Sequence, residues 1–207
     1  MVSRSRAPED EEQSRDRAQV LTLEAVSAGI LLLLAVGFAL QMTAVTPLSA
    51  STSSQHLENQ LQSSATGVLA STSESGALRE AVLYWNETEG RYHNASDVNY
   101  YRSGPPDNEF GDALDRAFGD RNVAYNVVVH YQLADGSQFT QRMIYQGQPS
   151  DHAVSASRTV ALMDTHNLTA PGGGPELQDS GSFYAEDAAP GDSLYNLVRV
   201  EVIAWRI

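Results

Sequence analysis

The chain has 207 residues, no cysteine and a formal net charge of −13. That length holds one modest domain beside a membrane span, and the missing thiols exclude disulfides, thiolate zinc sites and cysteine nucleophiles. The acidic surplus argues against a nucleic-acid partner, because phosphate backbones are bound by basic surfaces.

Residues 1–18, MVSRSRAPEDEEQSRDRA, are polar, mixed in charge and without apolar periodicity, which reads as a disordered cytoplasmic leader. A membrane-spanning helix is expected over 19–46, since no residue between Ala25 and Val45 is charged. At about 1.5 Å rise per residue, about 20 such residues cross a hydrocarbon core of roughly 30 Å. No comparably apolar segment elsewhere could enclose this stretch as the core helix of a soluble domain. Arg15 and Arg17 precede the span and the next arginine is Arg79. Positive charge stays inside, so the N-terminus is expected in the cytoplasm and residues 47 onward outside a single-pass cell membrane protein. The apolar run is long for the core of a cleaved secretory signal.

Glu24 stands at the cytoplasmic end of this run. A carboxylate there costs less than the roughly 2.5–3.5 kcal/mol of the bilayer centre, and an ionisable group in a span is a functional position by default. The plain alternative is a side chain that snorkels to the interface. Ala25, Ala28, Gly29, Ala35, Gly37 and Ala39 permit close approach of a second helix, although small residues are common in spans generally.

The run Arg17-Ala18-Gln19-Val20-Leu21-Thr22-Leu23-Glu24 followed by an apolar helix resembles the class III signal of type IV pilins and archaeal pilin-like proteins. The resemblance implies a prepilin-type peptidase cutting between Ala18 and Gln19 on the cytoplasmic side. It also implies like subunits as partners, with Glu24 offsetting a neighbour's N-terminal amine inside a filament. Glu24 is sixth from Gln19, where the family pattern places it fifth. Acid-rich, lysine-free composition is similar to that of salt-loving archaea, in which high salt screens self-repulsion. The chain as a whole resembles the pilin-like membrane proteins of haloarchaea.

Pro47 is expected to end or kink the span, followed by a polar spacer over 47–54. Leu57, Leu61, Ala65 and Val68 then share one helical face, and Leu78, Val82 and Trp85 continue the period, giving an interrupted helix over about 55–85. A coiled-coil stalk is the competing reading, weakened by Gly67 and Gly76. Residues 86–108 are polar, punctuated by glycine and proline, and read as a loop. Phe110, Leu114 and Phe118 fall at i, i+4 and i+8 of a helix over 109–118, capped by Asp107 or Asn108, with Asp112, Asp115 and Arg116 outward.

The second half alternates. Val123, Tyr125, Val127, Val129, Tyr131 and Leu133 mark a half-buried strand over 122–133. Asp135-Gly136 signals a hairpin to a strand over 138–146. A three-residue loop or a bulge is favoured, with Phe139, Met143 and Tyr145 placed opposite Leu133, Val129 and Val127. Further strands are expected over 153–164 and 194–206, separated by a Gly/Pro/acidic excursion. The expected fold is α+β, a pilin-like arrangement in which the extended N-terminal helix packs on a four-stranded antiparallel sheet in an extracellular domain over 55–207.

No constellation for catalysis stands out, so the chain reads as no enzyme. Asp151-His152 and Asp164-Thr165-His166 lack the spacing of a metal motif, and no cofactor or metal is expected. Ser180, Ser182 and Ser193 have no nucleophile elbow, and Gly172-Gly173-Gly174 precedes no helix that could hold a phosphate. No small-molecule substrate is identifiable. Three N-x-S/T sequons, at Asn86, Asn94 and Asn167, fall on the expected outside and are candidate glycan sites, Asn86 and Asn94 foremost. The preferred function is a pilin-like structural or accessory subunit of a type IV-like surface filament. The alternative is a non-polymerising, membrane-anchored extracellular interaction domain, and an ectoenzyme is remote.

Overall fold

A computed structural model describes residues 9–96, 98–119 and 121–207, with side chains described at Arg17, at 19–40 and from Gln55 onward. The chain divides into two compact units, the second beginning at Gln55. The architecture is α+β: an N-terminal apolar helix and a four-stranded antiparallel sheet.

Helix α1 is assigned over Glu9–Ser75. Its backbone is helical already at residues 9–18, within what the sequence reads as a disordered leader; residues 1–8 of that leader lie outside the described ones. It is also helical through Pro47 and residues 47–54, where an end and a spacer were expected. Proline withholds one N–H donor, and the bonds on either side of that position remain available to the helix. In the first unit, Gln19–Leu40 is long and apolar enough to cross a membrane, with mean hydropathy 2.3 and no residue buried.

In the second unit, the face of α1 predicted from its spacing enters the core progressively. Leu57 is still 37% exposed, Leu61 is half-buried, and Ala65, Val68 and Leu69 are buried. Gly76, at φ +88°, breaks the helix, and α2 (Ala77–Val82) restarts it with Leu78 and Val82 fully buried. The positive φ is the reason for glycine at this corner. Trp85 lies beyond the helix in β1 (Trp85–Asn86), which pairs with β2 (Arg91–Tyr92). The segment read as loop therefore contains a small hairpin, and its Tyr92 and Tyr101 are core residues.

Helix α3 (Glu109–Leu114) starts where Asn108 accepts a hydrogen bond from Gly111 N at 2.9 Å, so of the two caps expected, Asp107 or Asn108, it is Asn108 that serves. Its last turn widens into a π-helical turn, Asp115–Gly119, that brings Phe118 to full burial beside Phe110 and Leu114.

The sheet is ordered β4 (Gln138–Tyr145), β3 (Val123–Gln132), β6 (Leu194–Arg206), β5 (Val154–Met163), all neighbours antiparallel. Its inner face carries Val127, Val129, Val160, Leu162, Val198, Val200, Val202 and Ala204, all in the core. The β3–β4 register corrects the expected pairing. Leu133 N bonds Ser137 O, leaving a three-residue loop with Gly136 at φ +84°, so Phe139 lies opposite Tyr131 rather than Leu133. A bulge then sets Val128 against Arg142 but Val127 against Ile144, and Tyr145 falls opposite Asn126 instead of Val127. The extra residue lets consecutive Met143 and Ile144 both reach full burial, which simple alternation cannot do. Phe139 is 48% exposed, because it sits at the open end of the sheet. The Gly/Pro/acidic excursion is pinned from within: Trp85 Nε1 donates to Ser182 O at 2.8 Å, and Leu177, Phe183 and Ala185 are buried.

Candidate functional site

The residues singled out by sequence divide between the two units. Gln19 and Glu24 are exposed along α1, and Ala18 is helical there with its side chain outside the described set. Thr22 Oγ1 donates to Gln19 O at 2.8 Å and Ser27 Oγ to Glu24 O at 2.9 Å, so these hydroxyls bond back to their own helix. A Cβ added at Gly29 or Gly37 would meet nothing within 4 Å. Among the described residues, then, nothing packs on these two glycines.

The sequon asparagines lie in the second unit and differ from one another. Asn86 is half-buried in β1, with its Oδ1 accepting from Thr88 N and Glu89 N at 3.0 and 3.2 Å. Asn94 is exposed, at φ 60°, and lines a cleft of 340 Å³ with Ser96, Arg102 and Ser103. Asn167 is exposed and donates through Nδ2 to Gly174 O at 3.0 Å.

The histidines are dispersed. His130 Nε2 contacts Glu201 Oε2 at 2.8 Å on the outer sheet face, and His152 Nδ1 contacts Glu58 Oε1 at 3.0 Å, tying the β4–β5 connection to α1. His166 Nδ1 accepts from Met163 N at 3.1 Å; burial, and secondarily the charge of Arg79, lower its pKa. Among the described residues no group of three or more His, Asp or Glu is placed to hold a metal ion.

Sequence reasoning missed two features. The first is an aromatic cluster of Trp85, Tyr92, Tyr101, Tyr131 and Tyr184, with ring centroids 5.1–6.0 Å apart in the contacting pairs. Burial drives the Tyr92, Tyr101 and Tyr184 hydroxyls well above the ordinary phenol range, so the cluster is neutral packing. The tyrosine-dotted loops carried its signal, though no periodicity marked it. The second is a groove of 190 Å³ at the end of the sheet where Val123 and Arg206 lie, bounded by Leu57, Leu61, Ala117 and Arg121. Its apolar floor is the uncovered start of the α1 stripe, and its two guanidinium groups have no carboxylate partner among the described residues. In a chain of net charge −13, that is a local reversal of sign.

The opposite end of the sheet has the complementary character. Tyr131 stacks on exposed Phe139 at 6.1 Å, and Glu186 is close enough to help raise the Tyr131 pKa, after burial. Asp135 lies in the β3–β4 turn, where hydrogen bonding from Ser137 lowers its pKa. Burial, and then the charges of Asp187, Glu186 and Asp164, push the Tyr195 hydroxyl up to about 12. The geometry thus supplies an apolar, cation-lined groove at one end of a rigid sheet and an apolar, acidic tip at the other.

No curated protein and no solved structure matches the chain. The profile of a family of unknown function, DUF7288, matches residues 17–204, and the chain belongs to that family.

Proposed function

We propose that this chain is a pilin-like structural or accessory subunit of a type IV-like cell-surface filament, held in the cell membrane by α1 with its sheet-bearing domain outside. One observation carries the reading. Gln19–Leu40 is wholly exposed within the chain and contains a single charged residue, Glu24. Such a helix needs lipid, or other helices, to cover it. A lone acid near its N-terminal end suits a neighbour's freshly exposed amine, as the resemblance over residues 17–24 implies. The prepilin-type peptidase and like subunits are the partners that follow, with membrane lipid as the resting environment.

N-terminal sequencing of the protein from native membranes and from sheared surface material tests this. A product beginning at Gln19, recovered in the sheared fraction, is the expected result. An intact leader with complete retention in the membrane refutes it, and favours an anchored extracellular interaction domain that does not polymerise.

A further inference from the structure

We infer that the groove formed by Leu57, Leu61, Ala117, Arg121 and Arg206 receives the Phe139–Asp135 end of a second copy of this chain, joining the sheet-bearing domains head to tail. The inference rests on the filament reading and names a contact for it. Three observations lead there. The groove is the one stretch of the predicted α1 stripe that the domain leaves open, Leu57 being 37% exposed, although Ala65, Val68 and Leu69 beyond it are buried. Its volume of 190 Å³ suits an aromatic ring, since cavities of about 150 Å³ hold benzene.

Charge then selects the occupant. Copies with net charge −13 repel one another over most of their surfaces. Attraction is confined to places where unpaired guanidinium groups meet carboxylates, and such pairing fixes orientation more than it adds affinity. Arg121 and Arg206 provide the cations. The far end of the sheet provides exposed Phe139 stacked on Tyr131, with Glu186 beside Tyr131 and Asp135 on the adjoining turn. Arg79 is a cation on that side too, next to His166.

Polarity follows from the strand. Val123 lines the groove and Tyr131 lies opposite Phe139, eight residues further along β3. At about 3.3 Å per residue the two patches stand about 26 Å apart. They cannot meet within one domain. A groove at one end and a plug at the other make a heterologous contact, which propagates as an open row unless rotation closes it.

The chain has no native cysteine, so introduced thiols report only the intended contact. The full chain carrying both Leu57→Cys and Phe139→Cys, oxidised in native membranes with copper–phenanthroline, is expected to give a ladder of covalent trimers and larger species. Each single variant is expected to stay monomeric, because its thiol faces no second thiol across a head-to-tail contact. Adding Arg121→Glu with Arg206→Glu removes the ladder, and adding Asp135→Arg with Glu186→Arg as well restores it. The charge-swap rescue separates a broken contact from a misfolded domain. A double-cysteine variant confined to monomer and dimer overturns the inference. A Gly29→Cys variant run in parallel reports contact between the apolar helices. Its cross-linking without the ladder sinks this contact and leaves the filament reading standing. The ladder without sheared filaments keeps the contact and sinks the filament.

Discussion

The same substitution, Gly→Ala, is expected to have opposite signs at two helical positions, and the difference can be worked from the packing. Alanine exceeds glycine in helix propensity by about 1 kcal/mol. At Gly67, exposed on α1, a Cβ would meet nothing within 4 Å, so Gly67→Ala collects that gain. At Gly111, buried in the first turn of α3, a Cβ would overlap Pro106 O and stand 2.9 Å from Pro106 C and 3.2 Å from the Pro105 Cβ. The two prolines have fixed φ, and Gly111 N is also the donor that Asn108 caps, so neither side can yield without loss. Overpacking typically costs about 1–3 kcal/mol and a broken cap about 1 more, against the gain of about 1 from propensity. The net expectation for Gly111→Ala is a loss of about 2 kcal/mol. For a domain of this size that lowers Tm by about 4–8 °C. Thermal unfolding of the full chain in detergent, followed by the fluorescence of buried Trp85 and Trp205, reads it directly. An unchanged or raised Tm for Gly111→Ala would show that the Pro105–Pro106 turn does not lie against α3.

Asn126 is 3% exposed, accepts from Gln146 N and donates to Gly147 O, both at 2.9 Å. Asn126→Ala should cost about 1–3 kcal/mol in urea unfolding, because it leaves the half-buried backbone groups of Gln146 and Gly147 unpaired. His166 has a lowered pKa in the folded domain, so the unfolded chain takes up its proton first as pH falls. Stability is complete above the ordinary histidine range and declines through about pH 6.5 downward until the folded domain titrates too. A profile of Tm against pH should show this limb, and His166→Gln should flatten it. Mass spectrometry of peptides from native cells should find glycans at exposed Asn94 ahead of Asn167, whose Nδ2 is held by Gly174 O, and of Asn86, which is half-buried in β1. Modification of Asn86 with the other two bare would contradict that ordering.

Much of the fold was legible from periodicity alone. An uncharged stretch of this length reads as a helix that spans a membrane, fills a core or serves as a signal, and alternation in β3, β5 and β6 marks one buried face because side chains on a strand have period two. The cap of α3 was readable to within two neighbours, Asp107 or Asn108, since a short acceptor of either kind can reach an N–H two or three residues on. These are local properties, written in neighbouring residues.

Tertiary structure decided the rest. The bulge that buries Met143 and Ile144 together depends on what lies beneath β4, so alternation misplaced Tyr145, whereas the loop between Leu133 and Ser137 set Phe139 opposite Tyr131. Tyr92, Tyr101 and Tyr184 sit in segments with loop composition, and only long-range packing makes the first two core and sets half-buried Tyr184 against them. The groove has the same origin. Leu57 belongs to the α1 stripe by spacing, yet whether it is covered depends on how far Ala117, Val123 and Arg206 reach toward it, from sequence positions 60 or more residues away. Sequence by itself determined the long apolar helix, the strands and the acidic charge; the chain's three-dimensional path alone could set two arginines beside an uncovered leucine, because no local rule relates residues that distant.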